Sequence, residues 1–223
     1  MDQKLSFSPT GVRQLVSGAA GHIEVDARLG KGSQSVDSGL LLLCHPHPLF
    51  GGSMDNKVVT TLARAGRDLG LAQLRFNFRG VGASEGEHAE MQGEAQDLQL
   101  LIDLLQQQYP RAPLVLAGFS FGSGVSSLVV GDNPQIEALH LVAPPVSKYR
   151  GTYPDRYHCP LSVYQGDSDE VIDAQATRRW ALGMKSDCEL HWFEQTGHFF
   201  HGRLTDLYRA FAKEISTLGQ GGR

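Results

Sequence analysis

The sequence predicts an α/β protein with a mostly parallel central sheet and helices on both faces. Segments with strand character alternate with segments of helical periodicity through most of the chain, as in such sheets. A length of 223 residues, 41% of them hydrophobic, suits one core of ordinary composition. No internal repeat, low-complexity block or long linker divides the chain. We therefore expect a single domain over residues 1–223, with residues 218–223 as a flexible tail.

The first third of the chain is rich in strands. Short apolar stretches there are separated by Gly- and Ser-rich turns such as LGKGSQSVDSG. The predicted strands are Arg13–Val16, Ile23–Arg28 and Leu40–Cys44.

After Cys44, helices and strands alternate. In the longest helical segment, apolar residues fall on one face, and Pro110 and Pro113 follow its end. Loops that carry function gather at the carboxyl ends of the strands in this class of sheet. The predicted helices are Met54–Leu69, Ala89–Gln108, Ser123–Val130, Ala174–Leu182 and Leu204–Leu218, and the predicted strands are Ala72–Phe78, Leu114–Ala117, Ala138–Val142, Leu161–Gln165 and Glu189–Phe193.

Composition argues against several classes of protein. The formal charge is −4 and no basic tract is present, so nucleic acid and anionic membranes are poor partners. The longest aliphatic run, LLLL at 40–43, is far shorter than the roughly 20 residues of a membrane helix. No phosphate-binding glycine motif follows the early strands, which disfavours a nucleotide-binding protein.

Three cysteines without a CxxC spacing predict neither a disulfide framework nor a zinc site. The N-terminal residues lack the apolar stretch of a signal peptide. We therefore expect a soluble cytoplasmic protein with no metal and no cofactor, and a homo-oligomer is not excluded.

The spacing Gly-x-Ser-x-Gly occurs twice, in LVLAGFSFGSG at 114–124 and in GASEG at 82–86. A nucleophile elbow requires a strand, a sharp turn and a helix in that order, with glycines where strand and helix approach closely. The first segment has that context. The second follows the loop RGVG and precedes the charged EHAE, as a turn would. Ser120 is therefore the candidate nucleophile and Ser84 a turn residue, although a plain loop serine stays an alternative for Ser120.

A serine nucleophile needs a base, and the base needs a carboxylate to orient it. Two later strands end in QGDSDEVI and EQTGHFFHG, which offer both groups in the chain order of elbow enzymes. These segments, together with NFRGVGASEG and GFSFG, resemble the corresponding loops of the α/β-hydrolase superfamily over nearly the whole chain from about residue 12. The resemblance implies that Asp169 is the acid and His198 the base.

Neighbouring residues leave alternatives open. Asp167 is nearer the strand end and His201 lies three residues beyond His198. Asp173 is better explained as a helix N-cap, and His191, within a strand, as a structural residue.

The segment CHPHPLFGG at 44–52 follows the third strand. His45 and His47 without a third ligand are a weak metal signal. Elbow enzymes bind the oxyanion with two backbone N–H groups, one from the residue after the nucleophile, here Phe121, and one from the loop after the third strand.

Pro46 and Pro48 have no N–H, which leaves His47 or Leu49 as the second donor. The family's His-Gly-x pattern favours His47, although Pro46 stands where many members have glycine. The HPHP segment also resembles a small bacterial group of lidless serine hydrolases.

The stretch between the predicted strands that end at Val142 and begin at Leu161 is too short for a helical cap. An open site is therefore expected, with Leu49, Phe50, Phe119 and Phe199 as substrate-contacting residues and Phe121 and Phe200 also near its rim. Core packing is an equal alternative for each phenylalanine.

These features predict a serine hydrolase, most simply a carboxylesterase of small or short-chain esters. Thioesters, amides or peptides could react through the same groups. A non-catalytic ligand-binding protein with this fold is the alternative from a different class.

Overall fold

The computed structural model describes residues 4–131, 133–149 and 151–217, and the expected tail at 218–223 lies outside them. Eight strands form one sheet in the order β1-β2-β4-β3-β5-β6-β7-β8. The strands are β1 Val12–Gly18, β2 Gly21–Arg28, β3 Leu40–Cys44, β4 Ala72–Phe76, β5 Leu114–Phe119, β6 Ile136–Val142, β7 Leu161–Gly166 and β8 Cys188–Phe193. The helices are α1 Lys57–Asp68, α2 Gln92–Gln108, α3 Phe121–Val130, α4 Ala174–Leu182 and α5 Leu204–Thr217.

Among the described strands, β2 alone runs antiparallel to two neighbours. It pairs antiparallel with β1 through a tight hairpin and antiparallel with β4. Every other pair, from β4 through β3 to β8, is parallel. The carboxyl ends of β5, β7 and β8 therefore open at the same edge of the sheet.

The fully buried strand β3 shows how the two faces are filled. Leu41 and Leu43 pack with apolar residues of α1 and α5, whereas Leu40 and Leu42 pack with those of α2 and α3. Alternate side chains of a strand point to opposite faces, so a continuous aliphatic run supplies both cores. The predicted sheet with helices on both faces is confirmed.

Several helices and strands begin or end at other residues than predicted, for reasons in the local backbone. Helix α1 begins at Lys57 rather than Met54, because Asn56 caps it by accepting a hydrogen bond from the Val58 N–H at 2.8 Å. Helix α2 begins three residues later than expected, since Glu90 and Met91 have φ of 48° and 76°, outside the helical region. The predicted gap between β5 and α3 closes to a single residue, Ser120.

The connection between β6 and β7 carries no helix or strand in its described part, residues 143–149 and 151–160. It packs down onto α3, where the Tyr153 hydroxyl lies 3.1 Å from that of Ser123 and the Tyr157 hydroxyl 2.6 Å from that of Ser127. The predicted absence of a cap is confirmed. Among the described residues, no helix is long and apolar enough to cross a bilayer.

Candidate active site

Ser120 lies alone between β5 and α3, with φ 53° and ψ −117°. A non-glycine residue in such a conformation costs on the order of 1–3 kcal/mol and persists only where its surroundings enforce it. The Ser120 N–H donates to the Val142 carbonyl at 2.8 Å, and the Ser123 hydroxyl donates to the Ser120 carbonyl at 2.5 Å. The strained turn is therefore held from both sides.

The flanking glycines are required by space. A Cβ atom on Gly118 would collide with the Gly122 carbonyl, and one on Gly122 would lie 2.5 Å from the carbonyl oxygens of both Cys44 and His45. Strand β5, helix α3 and the loop after β3 thus meet at a point where only glycine fits.

Ser120, His198 and Asp169 come together from the ends of three strands. The Ser120 Oγ lies 3.0 Å from His198 Nε2, and His198 Nδ1 lies 2.8 Å from Asp169 Oδ2. The side chains of His198 and Asp169 are both buried. The three groups form one continuous hydrogen-bonded chain.

The Asp169 carboxylate is held by four groups. Its Oδ1 accepts from the backbone N–H groups of Val171 and Ile172 at 2.9 and 2.8 Å, and its Oδ2 accepts from His198 and from Gln165 Nε2 at 3.1 Å. Burial by itself raises the pKa of this carboxyl, but the hydrogen bond and charge of His198 and the two backbone donors together lower the pKa below its usual value. Asp169 is therefore ionised and fixed in orientation.

The loops that carry Asp169 and His198 are joined to each other. The Ser168 N–H donates to the Thr196 carbonyl at 3.1 Å, and the His198 N–H donates to Glu170 Oε2 at 3.1 Å. A side chain on Gly166 would collide with the Thr196 carbonyl. Sequence reasoning missed the contacts of Gln165 and Glu170, since nothing in their pattern distinguishes them from ordinary loop residues.

The alternative residues lie elsewhere. Asp167 accepts from the adjacent Ser168 hydroxyl at 2.7 Å, and Asp173 caps α4 by accepting from the Ala176 N–H at 2.9 Å. His201 is exposed and packs on Phe199, while His191 lies in β8 and stacks on a tyrosine of β7. None of these four contacts Ser120 or His198 through a hydrogen bond.

Ser84 has a different role. Its buried hydroxyl donates to the Asn77 carbonyl at 2.7 Å and accepts from the Glu24 N–H at 2.9 Å. The hydroxyl thus acts as both donor and acceptor, and it joins the turn after β4 to β2.

Two backbone N–H groups of the candidate oxyanion site are unused. Among the described residues, neither the His47 nor the Phe121 N–H has an acceptor. The Leu49 N–H instead donates to His47 Nδ1 at 3.3 Å. Of the two candidate donors in this loop, the Leu49 N–H is therefore already occupied and the His47 N–H is not.

His45 fixes this loop in a way that the sequence did not reveal. Its Nε2 accepts from the Phe78 N–H at 2.9 Å and its Nδ1 donates to the Pro46 carbonyl at 2.6 Å. Full burial lowers the pKa of His45 to about 4, so the ring is neutral. Within the described ranges, no three histidine, cysteine or acidic side chains come together as metal ligands would.

A cavity of about 250 Å³ opens beside Ser120. Phe50, 85% exposed, and Phe199, 40% exposed, stand at its mouth. The described lining residues include none of the four charged types Asp, Glu, Lys and Arg. They are Pro46, His47, Phe50, Gly51, Gly52, Asn56, Ser120, Val171, His198 and Phe199.

Two residues that were expected to contact the substrate, Leu49 and Phe119, do not line the cavity. Leu49 is 68% exposed and is not among the lining residues. Phe119 and Phe200 are fully buried. Phe119 ends the central strand β5 and packs beneath His198, with ring centroids 5.0 Å apart, so it supports the imidazole from the core.

Comparison with known proteins agrees with this fold. The model of the serine aminopeptidase S33 family matches residues 39–155. The chain belongs to the α/β-hydrolase superfamily. An α/β serine hydrolase homologue from Coxiella burnetii is 37% identical, with a TM-score of 0.85 over 92% of this chain and 97% of that one.

Two further relatives extend the comparison. An α/β serine hydrolase without a lid from Xanthomonas campestris is 35% identical, with a TM-score of 0.85 over 92% of this chain and 94% of that one. An uncharacterized protein of Rickettsia prowazekii is 36% identical over 71% of this chain and 67% of its own length. The α/β-hydrolase fold without a cap is therefore shared with close structural relatives.

Proposed function

We propose that this α/β-hydrolase is a serine esterase of small, neutral esters. The observation that carries the proposal is the hydrogen-bonded chain Ser120–His198–Asp169, which lies beside the unused N–H groups of Phe121 and His47. The candidate nucleophile, base and acid each lie at hydrogen-bonding distance from the next.

In the proposed reaction, His198 Nε2 takes the proton of Ser120 as its Oγ attacks the ester carbonyl. The Asp169 carboxylate accepts from Nδ1–H, which keeps Nε2 free to act as the base and stabilises the imidazolium that forms. The oxyanion of the tetrahedral intermediate accepts from the N–H groups of Phe121 and His47. His198 then gives its proton to the leaving alcohol, and water, activated by the same imidazole, releases the acid from Ser120.

The cavity favours an ester over an amino-terminal peptide, although the matching family model is named for an aminopeptidase. A free α-ammonium group taken out of water is best compensated by a carboxylate, and none lines the described cavity wall. Its apolar mouth, with Phe50 and Phe199, instead suits an uncharged acyl or aryl group.

A fluorophosphonate probe tests the nucleophile. The wild-type protein and Ser84→Ala are expected to label equally, and Ser120→Ala is expected not to label. Retained labelling of Ser120→Ala would refute the assignment. If the wild-type protein itself failed to react, the site would be a non-catalytic binding site.

Nitrophenyl esters of increasing acyl length test the substrate class. We expect kcat/KM to fall once the acyl chain outgrows a cavity of about 250 Å³. Matched thioesters and amino-terminal anilides complete the panel, and faster turnover of the anilides would favour a peptidase.

A further inference from the structure

A second cavity, of about 310 Å³, lies where α1 passes over the β2–β4 part of the sheet. Four arginines and a single acidic residue line it. The chain as a whole carries a net charge of −4, so this concentration of positive charge runs against the average. The lining residues are Arg28, Asp55, Thr60, Ala63, Arg64, Arg67, Gln73 and Arg75.

One wall is a stripe of α1. Thr60, Ala63, Arg64 and Arg67 follow the i, i+3, i+4, i+7 spacing of one helix face. Arg64 has no carboxylate at ion-pair distance among the described residues, and its guanidinium lies 5.0 Å from the centre of the Tyr208 ring instead. Arg67 approaches only its neighbour Asp68, at 3.7 Å. Neither arginine is therefore held by a close carboxylate on this side of the cavity.

The opposite wall is formed by paired residues of β2 and β4. Arg28 lies directly across from Gln73, and Asp26 across from Arg75. The carboxylate of Asp26 bonds both Arg75 and Arg28, so one negative charge is shared between two guanidinium groups.

Polar atoms in this wall lack partners. Arg75 donates to the Met54 carbonyl at 2.9 Å and to Asp55 at 3.1 Å, but its buried Nε has no acceptor. Gln73 is 2% exposed, and within the described structure its amide makes no hydrogen bond, with Oε1 buried and unpaired. A buried polar group without a partner is costly, so a molecule in this cavity that offered both a donor and an acceptor would stabilise this wall.

We propose that this cavity binds a phosphate group, either inorganic phosphate or the phosphate of a small monoester. Guanidinium groups match phosphate oxygens in pairs, and Arg28, Arg64 and Arg67 surround the cavity with such donors. The Gln73 amide offers an acceptor for a P–OH proton as well as a donor for a phosphate oxygen. That acceptor favours hydrogen phosphate over sulfate, which has no proton to donate at neutral pH.

Calorimetric titration at constant ionic strength tests the proposal, with inorganic phosphate, glycerol phosphate and sulfate as separate ligands. We expect saturable binding of phosphate, tighter than that of sulfate. The double variant Arg64→Ala/Arg67→Ala should bind at least tenfold more weakly, whereas Arg209→Ala, which removes an exposed arginine of α5, should bind as the wild type does. Tighter binding of glycerol phosphate than of inorganic phosphate would identify the monoester as the preferred form.

A second variant tests the role of the amide. Gln73→Leu should still bind phosphate but lose the preference for phosphate over sulfate. Absence of saturable binding, or equal weakening by Arg209→Ala, would overturn the proposal. Binding unaffected by Arg64→Ala/Arg67→Ala would also overturn it, since the anion would then lie elsewhere, for example beside Ser120.

Discussion

The two Gly-x-Ser-x-Gly segments share a spacing and nothing else. Ser120 is held at φ 53° with its Oγ 3.0 Å from an imidazole nitrogen. The hydroxyl of Ser84 is occupied by two backbone groups, as donor to one and acceptor from the other. In the first segment the backbone is strained to present the hydroxyl, and in the second the hydroxyl is used to hold the backbone.

The glycines differ in the same way. Gly118 and Gly122 are required because neighbouring backbone leaves no room for a Cβ atom. Gly82 and Gly86 have φ of 59° and 83°, so the left-handed backbone of the turn itself favours glycine. A sequence pattern records where glycine stands but not which of these reasons put it there.

The largest expected effect is on kcat and comes from the acid that supports Ser120 through His198, for which Ser84 has no counterpart. Asp169→Asn should lower kcat of the esterase reaction by about 10⁴-fold, because the amide would no longer hold the tautomer in which His198 Nε2 is the base. Steady-state kinetics on a nitrophenyl ester measures this. Asp167→Asn, which changes a half-buried neighbour on the same loop, is the matched control and should change kcat little. Equal losses in the two variants would show that the loop, rather than the Asp169 carboxylate, matters.

The next effect tests the glycines of the elbow. Gly122→Ala should lower the free energy of unfolding by about 3 kcal/mol, since the new methyl group meets the rigid backbone of Cys44 and His45. The methyl group of Gly124→Ala, two residues on, meets the flexible end of Met91 and lies 3.3 Å from the Tyr153 hydroxyl. Because these are side-chain atoms rather than rigid backbone, the change should cost clearly less stability than Gly122→Ala. Urea unfolding measures both. A neutral Gly122→Ala would mean that the helix and the loop after β3 can separate without cost.

Much of this arrangement could be predicted from the sequence. Alternation of strands and helices predicts the sheet, and the sheet predicts that loops following β5, β7 and β8 meet at one edge. Phe119 could not be placed in this way, because an apolar residue at a strand end packs equally well in a core or in a pocket wall. The contacts of His45 and Ser84 were also out of reach, since each bonds backbone groups of a strand or loop distant in sequence.

A smaller effect should follow from the structural use of Ser84. Ser84→Ala leaves the Glu24 N–H and the Asn77 carbonyl without their partner and should cost about 2 kcal/mol of stability. The triad geometry does not depend on this hydroxyl, so the esterase activity should persist. Ser216→Ala removes an exposed serine of α5 and should change stability by less than about 0.5 kcal/mol. Loss of activity in the folded Ser84→Ala protein would show that the two segments are coupled.

The last prediction concerns the residue that joins the two segments. His45 donates to the Pro46 carbonyl in the loop that carries His47, whose N–H is one of the two proposed oxyanion donors. It also accepts from the N–H of Phe78, which precedes the turn that contains Ser84. Its Nε2 already accepts a hydrogen bond, so protonation must break that contact. The pKa of His45 is lowered to about 4 in the folded protein, whereas an unfolded histidine titrates near 6.5.

The unfolded chain therefore binds a proton between about pH 6.5 and pH 4 that folded His45 does not bind, and stability falls as the pH falls through that range. His140, buried against Tyr164, Phe211 and His191, behaves alike because burial lowers its pKa to about 3. Each histidine should lower the free energy of unfolding by roughly 1 kcal/mol per pH unit as the pH falls from 6.5 to 5, measured by urea unfolding. His140→Phe should remove one such contribution and leave the other. If the imidazole NMR signals of His45 titrated near pH 6.5, the ring would not be locked between the two segments, and acid would weaken the fold elsewhere.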